Sequence, residues 1–304
     1  LYSNGMINLR PYQETIKNDV YEAWQAGHKN VLLVMPTGMG KTKTFCSIVM
    51  DDLHSPTAIM VHRKELVQQI CLTLAEEEIP HNIIAPRNVI KGIIGAERKL
   101  TGKQFYNPHA KVTVISVDTL NARIEKYRNW AINIRRWITD EAAHVLLDNK
   151  WGRACKYFPN AIGLGVTATP ERLDKKGLGS HADGVFDVMV EGPNSGWGMD
   201  QGYLSKYKVA IPDSDYQDYL HKASNGSDFS KKAMKEASSK SRITGDVVVN
   251  YLKFAKGKQA IVFASDIATA FKMEKEFKAS GITAKNLTGE TPDQERLDSL
   301  FKFR

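Results

Sequence analysis

The sequence predicts an α/β protein built on a parallel, doubly wound sheet. Short runs rich in Val and Ile, with the length of buried strands, recur between Val31 and Val166. Amphipathic stretches of helical spacing separate several of them, and this alternation implies crossovers over a parallel sheet. A Gly-rich loop joins the first run directly to a helical stretch. In order, the strand runs are Val31–Met35, Thr57–Val61, Val112–Val117, Ile134–Thr139 and Ile162–Val166. Lys64–Glu77 carries Leu66, Val67, Ile70, Leu72 and Leu74 on helical spacing. Gly and Pro cluster in Gly177–Gly202, which reads as loop and connector. Ser205–Ile211 reads as an extended exit strand, and the polar, Ser- and Lys-rich Asp213–Arg242 as a helical linker. A new unit opens with strand Gln259–Phe263, continues with a helix near Ile267–Ala279 and returns through Ile282–Leu287. The expected organisation is a first domain over 1–200, a connector over 201–245 and the start of a second α/β domain over 246–304.

Composition narrows the class. The chain has 304 residues, 42% hydrophobic and 25% charged, enough apolar material for a true core. Lys and Arg number 42 against 34 Asp and Glu, a net charge of +8 that favours polyanions without demanding them. No apolar run approaches the roughly 18 residues of a membrane span. No secretory signal opens the chain, so a cytoplasmic location is expected, the host cytoplasm if a phage encodes it. The three cysteines, Cys46, Cys71 and Cys155, lie far apart with no C-x-x-C. That pattern excludes a disulfide framework and a Cys-rich zinc site.

Chemistry concentrates at two places. Met35-Pro36-Thr37-Gly38-Met39-Gly40-Lys41-Thr42 follows the first strand run and precedes a helical stretch. Strand, Gly-rich loop and helix in that order form a phosphate cradle: Gly38 and Gly40 permit the turn and let backbone N–H groups approach phosphate oxygens. The helix N-terminus adds positive potential. Lys41 suits the β- and γ-phosphates, and the Thr42 hydroxyl suits Mg²⁺. Met35 stands where the strict G-x-x-x-x-G-K-[ST] pattern has its first Gly. The second place is Asp140-Glu141-Ala142-Ala143-His144, at the end of a strand run. Adjacent carboxylates there suit separate tasks, Asp140 holding Mg²⁺ partly through water and Glu141 orienting the attacking water.

With Thr167-Ala168-Thr169-Pro170, these segments resemble motifs I, II and III of superfamily 2 helicases. Leu9-Arg10-Pro11-Tyr12-Gln13 is similar to the adenine-reading segment ahead of motif I. Ala58–Leu66 is similar to motif Ia, Ser116-Val117-Asp118-Thr119-Leu120 to motif Ib, and Ala260–Ala264 to motif IV. Leu287–Thr291 with Arg296 is similar to the segment beyond it. The resemblance runs from Leu9 to Arg304, in the family's order. It is nearest to DNA helicases and translocases related to restriction-enzyme motor subunits and phage branch-migration helicases.

The resemblance implies tandem RecA-like domains of the P-loop NTPase class, the second incomplete, with ATP and Mg²⁺ as cofactors. The nucleotide-binding residues it implies are Arg10, Gln13, Thr37, Gly38, Met39, Gly40, Lys41 and Thr42. Lys41, Asp140 and Glu141 are the implied catalytic set, and Thr42 and Asp140 the metal set. Thr167, Thr169 and His144 would couple nucleotide to nucleic acid, though His144 sits one place beyond the usual DEAH slot, which Ala143 occupies. Arg63, Ser116, Thr119, Ser265 and Thr288 would touch phosphates of single-stranded, forked or branched DNA, giving sequence-independent binding. The implied activity is ATP-driven strand separation or branch migration in replication, recombination or repair. Three alternatives stand beside it: a motor subunit of a restriction-type complex, a nucleotide-gated binding module without turnover, and an RNA helicase. Two further family motifs, a Gly/Asp segment and a Gln/Arg segment with an arginine finger, are not found before Arg304. The chain alone is therefore expected to bind ATP–Mg²⁺ but hydrolyse it poorly.

Overall fold

A computed structural model describes residues 7–61, 64–171, 176–211 and 243–292, with 295, 296, 299, 302 and 303. The chain divides into two compact units, Leu1–Lys206 and Tyr207–Arg304.

Unit 1 is organised around seven strands among its described residues: β1 (Asn30–Val34), β2 (Thr57–Val61), β3 (His81–Ile84), β4 (Val112–Ser116), β5 (Arg136–Asp140), β6 (Ile162–Thr167) and β7 (Val188–Glu191). They form one sheet in the order β3-β4-β2-β5-β6-β1-β7, with every pairing parallel. Helices α1 (Pro11–Gln25), α2 (Lys41–Asp51), α3 (Lys64–Glu76), α4 (Arg87–Thr101), α5 (Val117–Ala131) and α6 (Lys150–Lys156) lie between or before the strands, and α7 (Ser195–Asp200) follows β7.

Alternation along the strands explains the two faces. Val31 and Leu33 enter one apolar cluster with Phe45 and Ile48 of α2 and Val67, Ile70 and Leu74 of α3. Leu32 enters the other, with Leu120 of α5, Trp137, Phe158 and Phe186. Central strands are thus apolar on both faces, which is why their runs were continuous in the sequence. Gly163 and Gly165 on β6 have a packing reason: a Cβ at the first would enter the Trp137 ring, and at the second the Phe186 ring.

The five expected strands of unit 1 are present within two residues at each end. Two were not foreseen, and both are edge strands. β3 opens with His81-Asn82, and β7 offers only the three-residue run Val188-Met189-Val190, with Met189 46% exposed, so both are short, weak strand signals. β7 and α7 also correct the reading of Gly177–Gly202 as loop and connector alone. Ser205–Ile211, expected as a strand, pairs with nothing among the described residues, and Tyr207, Val209 and Ile211 are exposed.

In unit 2 the described residues hold α8 (Ile243–Phe254) and α9 (Ile267–Ala279), the latter where the sequence placed it. Gln259–Phe263 and Ile282–Leu287 form no ladder there, and Phe263 is 93% exposed. A strand exists only through a hydrogen-bonded neighbour, and none stands beside these runs among the described residues. Arg63 and the expected linker helix Asp213–Arg242 lie outside the described residues.

Candidate nucleotide site

The strand register assembles the site. Val34, at the end of β1, sits opposite Thr167 on β6, and Asp140, at the end of β5, sits opposite Val166 on the other side of β6. The Gly-rich loop, the Thr167–Thr169 segment and the acidic pair therefore share one carboxyl-end edge of the sheet, where ligands bind in open parallel sheets.

The loop is held in a shape that requires glycine. Gly38 and Gly40 have φ of +85° and +83°, left-handed values that favour residues without a Cβ. A Cβ at Gly40 would also collide with the Gln13 amide. Gly40 caps α2, so the first backbone N–H groups of that 11-residue helix open at the loop. Met35 and Met39 are buried and anchor the loop, while Thr37 and Gly38 are exposed. The Lys41 ammonium turns back over the loop, donating to the Met35 carbonyl at 3.0 Å and the Pro36 carbonyl at 3.4 Å. Thr42 is half-buried on the first turn of α2.

The acidic pair faces the same space. Burial pulls the Lys41 pKa down, and the charges of Asp140 and Glu141 pull it back up. Burial raises the Asp140 pKa, the Glu141 N–H and the Lys41 charge oppose this, and the Glu141 charge adds to it. Asp140 Oδ1 accepts from the Glu141 N–H at 3.0 Å. Glu141 has φ +56° and ψ +47°, a costly conformation for a residue with a Cβ and a recurrent one at functional sites.

These residues fit a nucleoside triphosphate. The left-handed loop opens the first N–H groups of α2 at its end, and an ammonium and a helix N-terminus meet there, opposite two carboxylates. Among the described residues no group of three His, Cys, Asp or Glu side chains is placed to hold a metal. A cation would therefore rest on Asp140, the Thr42 hydroxyl and phosphate oxygens, the sparse protein ligation usual for Mg²⁺.

Gln13 is turned onto the phosphate loop. It is 2% exposed; its Oε1 accepts from the Arg10 N–H at 2.9 Å, and its Nε2 donates to the carbonyls of Met39 at 3.0 Å and Gly40 at 3.4 Å. Its amide is spent on the phosphate loop, and an adenine edge would have to replace these bonds. Arg10 is exposed, donates to the Tyr12 hydroxyl at 3.2 Å and lies 4.7 Å over the Tyr203 ring. Tyr12 donates to the Met39 carbonyl at 2.8 Å.

The coupling residues take mostly local partners. The buried Thr167 hydroxyl donates to the Thr169 carbonyl at 3.0 Å and accepts from the Thr169 N–H at 3.2 Å, fixing the turn beyond β6. The His144 ring stacks on Trp151, centroids 6.1 Å apart, and its carbonyl accepts from Asn149 Nδ2 at 2.7 Å. Ser116 caps α5, and its hydroxyl also donates to Thr119 Oγ1 at 2.8 Å, so both stand at the carboxyl end of β4. Ser265 and Thr288 belong to unit 2. Ser265 donates to Asp266 at 3.2 Å, and the Thr288 hydroxyl accepts from the Glu290 N–H at 3.2 Å. The structure thus brings together Arg10, Gln13, Thr37–Thr42, Asp140, Glu141, Thr167 and Thr169. Sequence reasoning marks Trp197 and Tyr203 as aromatics near the connector, suited to packing or, less favoured, to base stacking; what it missed is Leu204 and the packing of Trp197–Leu204 against the loop.

A 51.5 kDa protein of a Lactococcus phage (isolate 7-9) is 26% identical across 90% of this chain and 52% of its own length. A Schizosaccharomyces pombe protein, irc3, whose name describes a mitochondrial ATP-dependent helicase, is 28% identical across 100% of this chain and 48% of its own length. The chain spans about half the length of these curated relatives. The helicase domain of Pyrococcus furiosus Hef, 17% identical, superposes with a TM-score of 0.48 over 90% of this chain and 54% of that one. The fold rests on the strand order itself. No helix of the described residues is long and apolar enough to cross a membrane. Residues 6–172, more than half of the chain and the whole of the site from Arg10 to Thr169, match the family described as Type III restriction enzyme, res subunit, and the chain belongs to that family.

Proposed function

We propose that this chain carries the ATP-binding half of a helicase-like motor acting on DNA. The observation that carries the reading is the meeting of Lys41 with Asp140 and Glu141 across one sheet edge, each within reach of the other's charge. In this reading Lys41 leaves the Met35 and Pro36 carbonyls for the terminal phosphates, and the left-handed loop offers its N–H groups to them. Thr42 and Asp140 hold Mg²⁺, and Glu141 orients the attacking water and takes up its proton. Bound ATP–Mg²⁺ supplies the phosphoryl group whose transfer drives the motor. Thr167 and Thr169, one strand from each half of the site, pass the nucleotide state along the edge towards Ser116 and Thr119. Contacts to phosphates alone make binding independent of base sequence and sensitive to salt.

The substrate in this reading is single-stranded, forked or branched DNA, and the output is strand separation or branch migration. It draws on the ordered helicase motifs. Family membership favours a second reading, a motor whose output is made by restriction-complex partners.

An ATPase assay on the full-length protein with single-stranded DNA, forked DNA, a four-way junction and RNA separates these readings. Stimulation by forked or branched DNA above single strands supports the first. Equal stimulation by RNA overturns the DNA assignment, and co-purification of a methyltransferase or nuclease subunit favours the restriction reading. Lys41→Ala is expected to abolish turnover, and Glu141→Gln to lower it by about 10²–10³-fold while leaving nucleotide binding in place.

A further inference from the structure

We infer that the turn closing unit 1, Trp197–Leu204, is a strap that sets the conformation of the phosphate loop, with Tyr203 and Leu204 as its positioning residues. This goes beyond the proposed ATP site. It assigns a task to a segment that touches no expected ligand.

The strap meets the loop directly at two points and, through Tyr12 of α1, at a third. A Cβ at Gly38 would lie 2.8 Å from Leu204 Cδ2, so the leucine side chain fills the place where a side chain at the left-handed residue would stand. A Cβ at Gly198 would lie 2.8 Å from Met39 Sδ and 3.0 Å from Leu204 Cδ1, so this glycine exists to let Met39 and Leu204 close over it. Tyr12, which donates to the Met39 carbonyl, packs edge-on to Trp197 at 5.4 Å and tilted to Tyr203 at 5.1 Å. Trp197 and Tyr203 are themselves 5.6 Å apart, and the Arg10 guanidinium covers the Tyr203 ring.

The strap is rigid in its own right. Asn194 caps α7 by accepting from the Trp197 N–H at 2.9 Å. The Tyr203 and Leu204 N–H groups both donate to the Gly198 carbonyl, at 2.8 and 2.9 Å, closing the turn around Gly202, whose φ is +74°. Close-packed apolar contacts and ring pairs of this kind hold a neighbour in one arrangement. The loop needs such support, because its own glycines give it more freedom than any other residue type. The unit boundary falls just after Lys206, so the covalent path to unit 2 leaves directly from the strap.

The test uses the full chain with Leu204→Ala, Tyr203→Ala and the conservative Leu204→Met and Tyr203→Phe. Without nucleotide, amide hydrogen exchange across residues 36–42 is expected to accelerate by about tenfold in both alanine variants. Exchange across β5 and β6 should stay at the parent rate, and the conservative variants should restore the loop. With ATP, the KM is expected to rise about tenfold with kcat within about twofold, the signature of a weakened binding conformation. Unchanged loop exchange in both alanine variants overturns the strap, and so does acceleration spread evenly over the sheet. The nucleotide arm rests on the proposed ATP site. If the parent chain binds no ATP, that reading fails, and the exchange arm alone decides the strap.

Discussion

At Gln13 one buried amide joins two segments that the sequence keeps 26 positions apart, the start of α1 and the Met39 carbonyl. Replacing it by Ala would leave the part-buried Arg10 N–H without its partner and remove one donor each from the Met39 carbonyl, which keeps the Tyr12 hydroxyl, and the Gly40 carbonyl, which keeps Thr44. Gln13→Ala is therefore expected to lower stability by about 1–3 kcal/mol in urea denaturation, a cost that a purely base-reading glutamine would not show. Glu97 poses a similar problem with a charge. Its side chain is buried, with Oε1 3.0 Å from His81 Nε2 and Oε2 accepting from the N–H groups of Phe105 at 2.9 Å and Tyr106 at 3.1 Å. Burial pushes its pKa up, but the His81 contact and the backbone donors outweigh burial and hold it below the usual value. A carboxyl held low when folded adds stability that is present above its unfolded pKa, about 4.3, and is lost as pH falls through the folded value. Glu97→Gln should thus cost about 3 kcal/mol at pH 7. The gap from the parent should narrow below about pH 4, as urea melts at both pH values would reveal. The sequence displayed both residues but not their partners, because a buried pair is defined by what folds around it.

Among elements, α2 is fixed at both ends by other segments. Its start depends on Gly40, and Gly40→Ala would combine a strained φ with a collision against Gln13. Loss of nucleotide binding with a lowered melting temperature is the expected result, read by calorimetry with and without ATP. Its far end is held by Arg136 of β5, which is 5% exposed. Arg136 donates to the Ile48 carbonyl at 2.9 Å, the Asp52 carbonyl at 3.2 Å and Thr57 Oγ1 at 3.1 Å. Arg136→Leu should cost about 3 kcal/mol, because two buried acceptors and one part-buried one lose a charged donor. A denaturation midpoint unchanged from the parent would contradict that role. β1, β2, β4 and β6 were legible because both of their faces are buried and their runs are largely apolar, and β5 from Trp137-Ile138-Thr139 in spite of Arg136. β3 and β7 were not, because an edge strand is recognised by its neighbour rather than by its own residues.

On the scale of the molecule, the boundary between the units falls in an exposed stretch, 205–211. Lys206 and Lys208 lie in exposed, unpaired backbone beside Tyr207, Val209 and Ile211. Tryptic cleavage at these lysines is expected before cleavage within the helices of unit 1, followed by mass spectrometry over time. Early loss of peptides from α2 or α5 would contradict the division into units. The sequence by itself determined the α/β class, five strands of the sheet, and the loop and acidic pair that mark the site. Each of these is a local pattern: a run of β-branched residues, a glycine spacing, two adjacent carboxylates. Only the tertiary structure decided that β6 stands between the two halves of the site, that Gln13 is turned onto the loop, and that Tyr203 and Leu204 brace it from below. Those relations depend on strand order and on contacts between residues far apart in the chain, which no local pattern encodes.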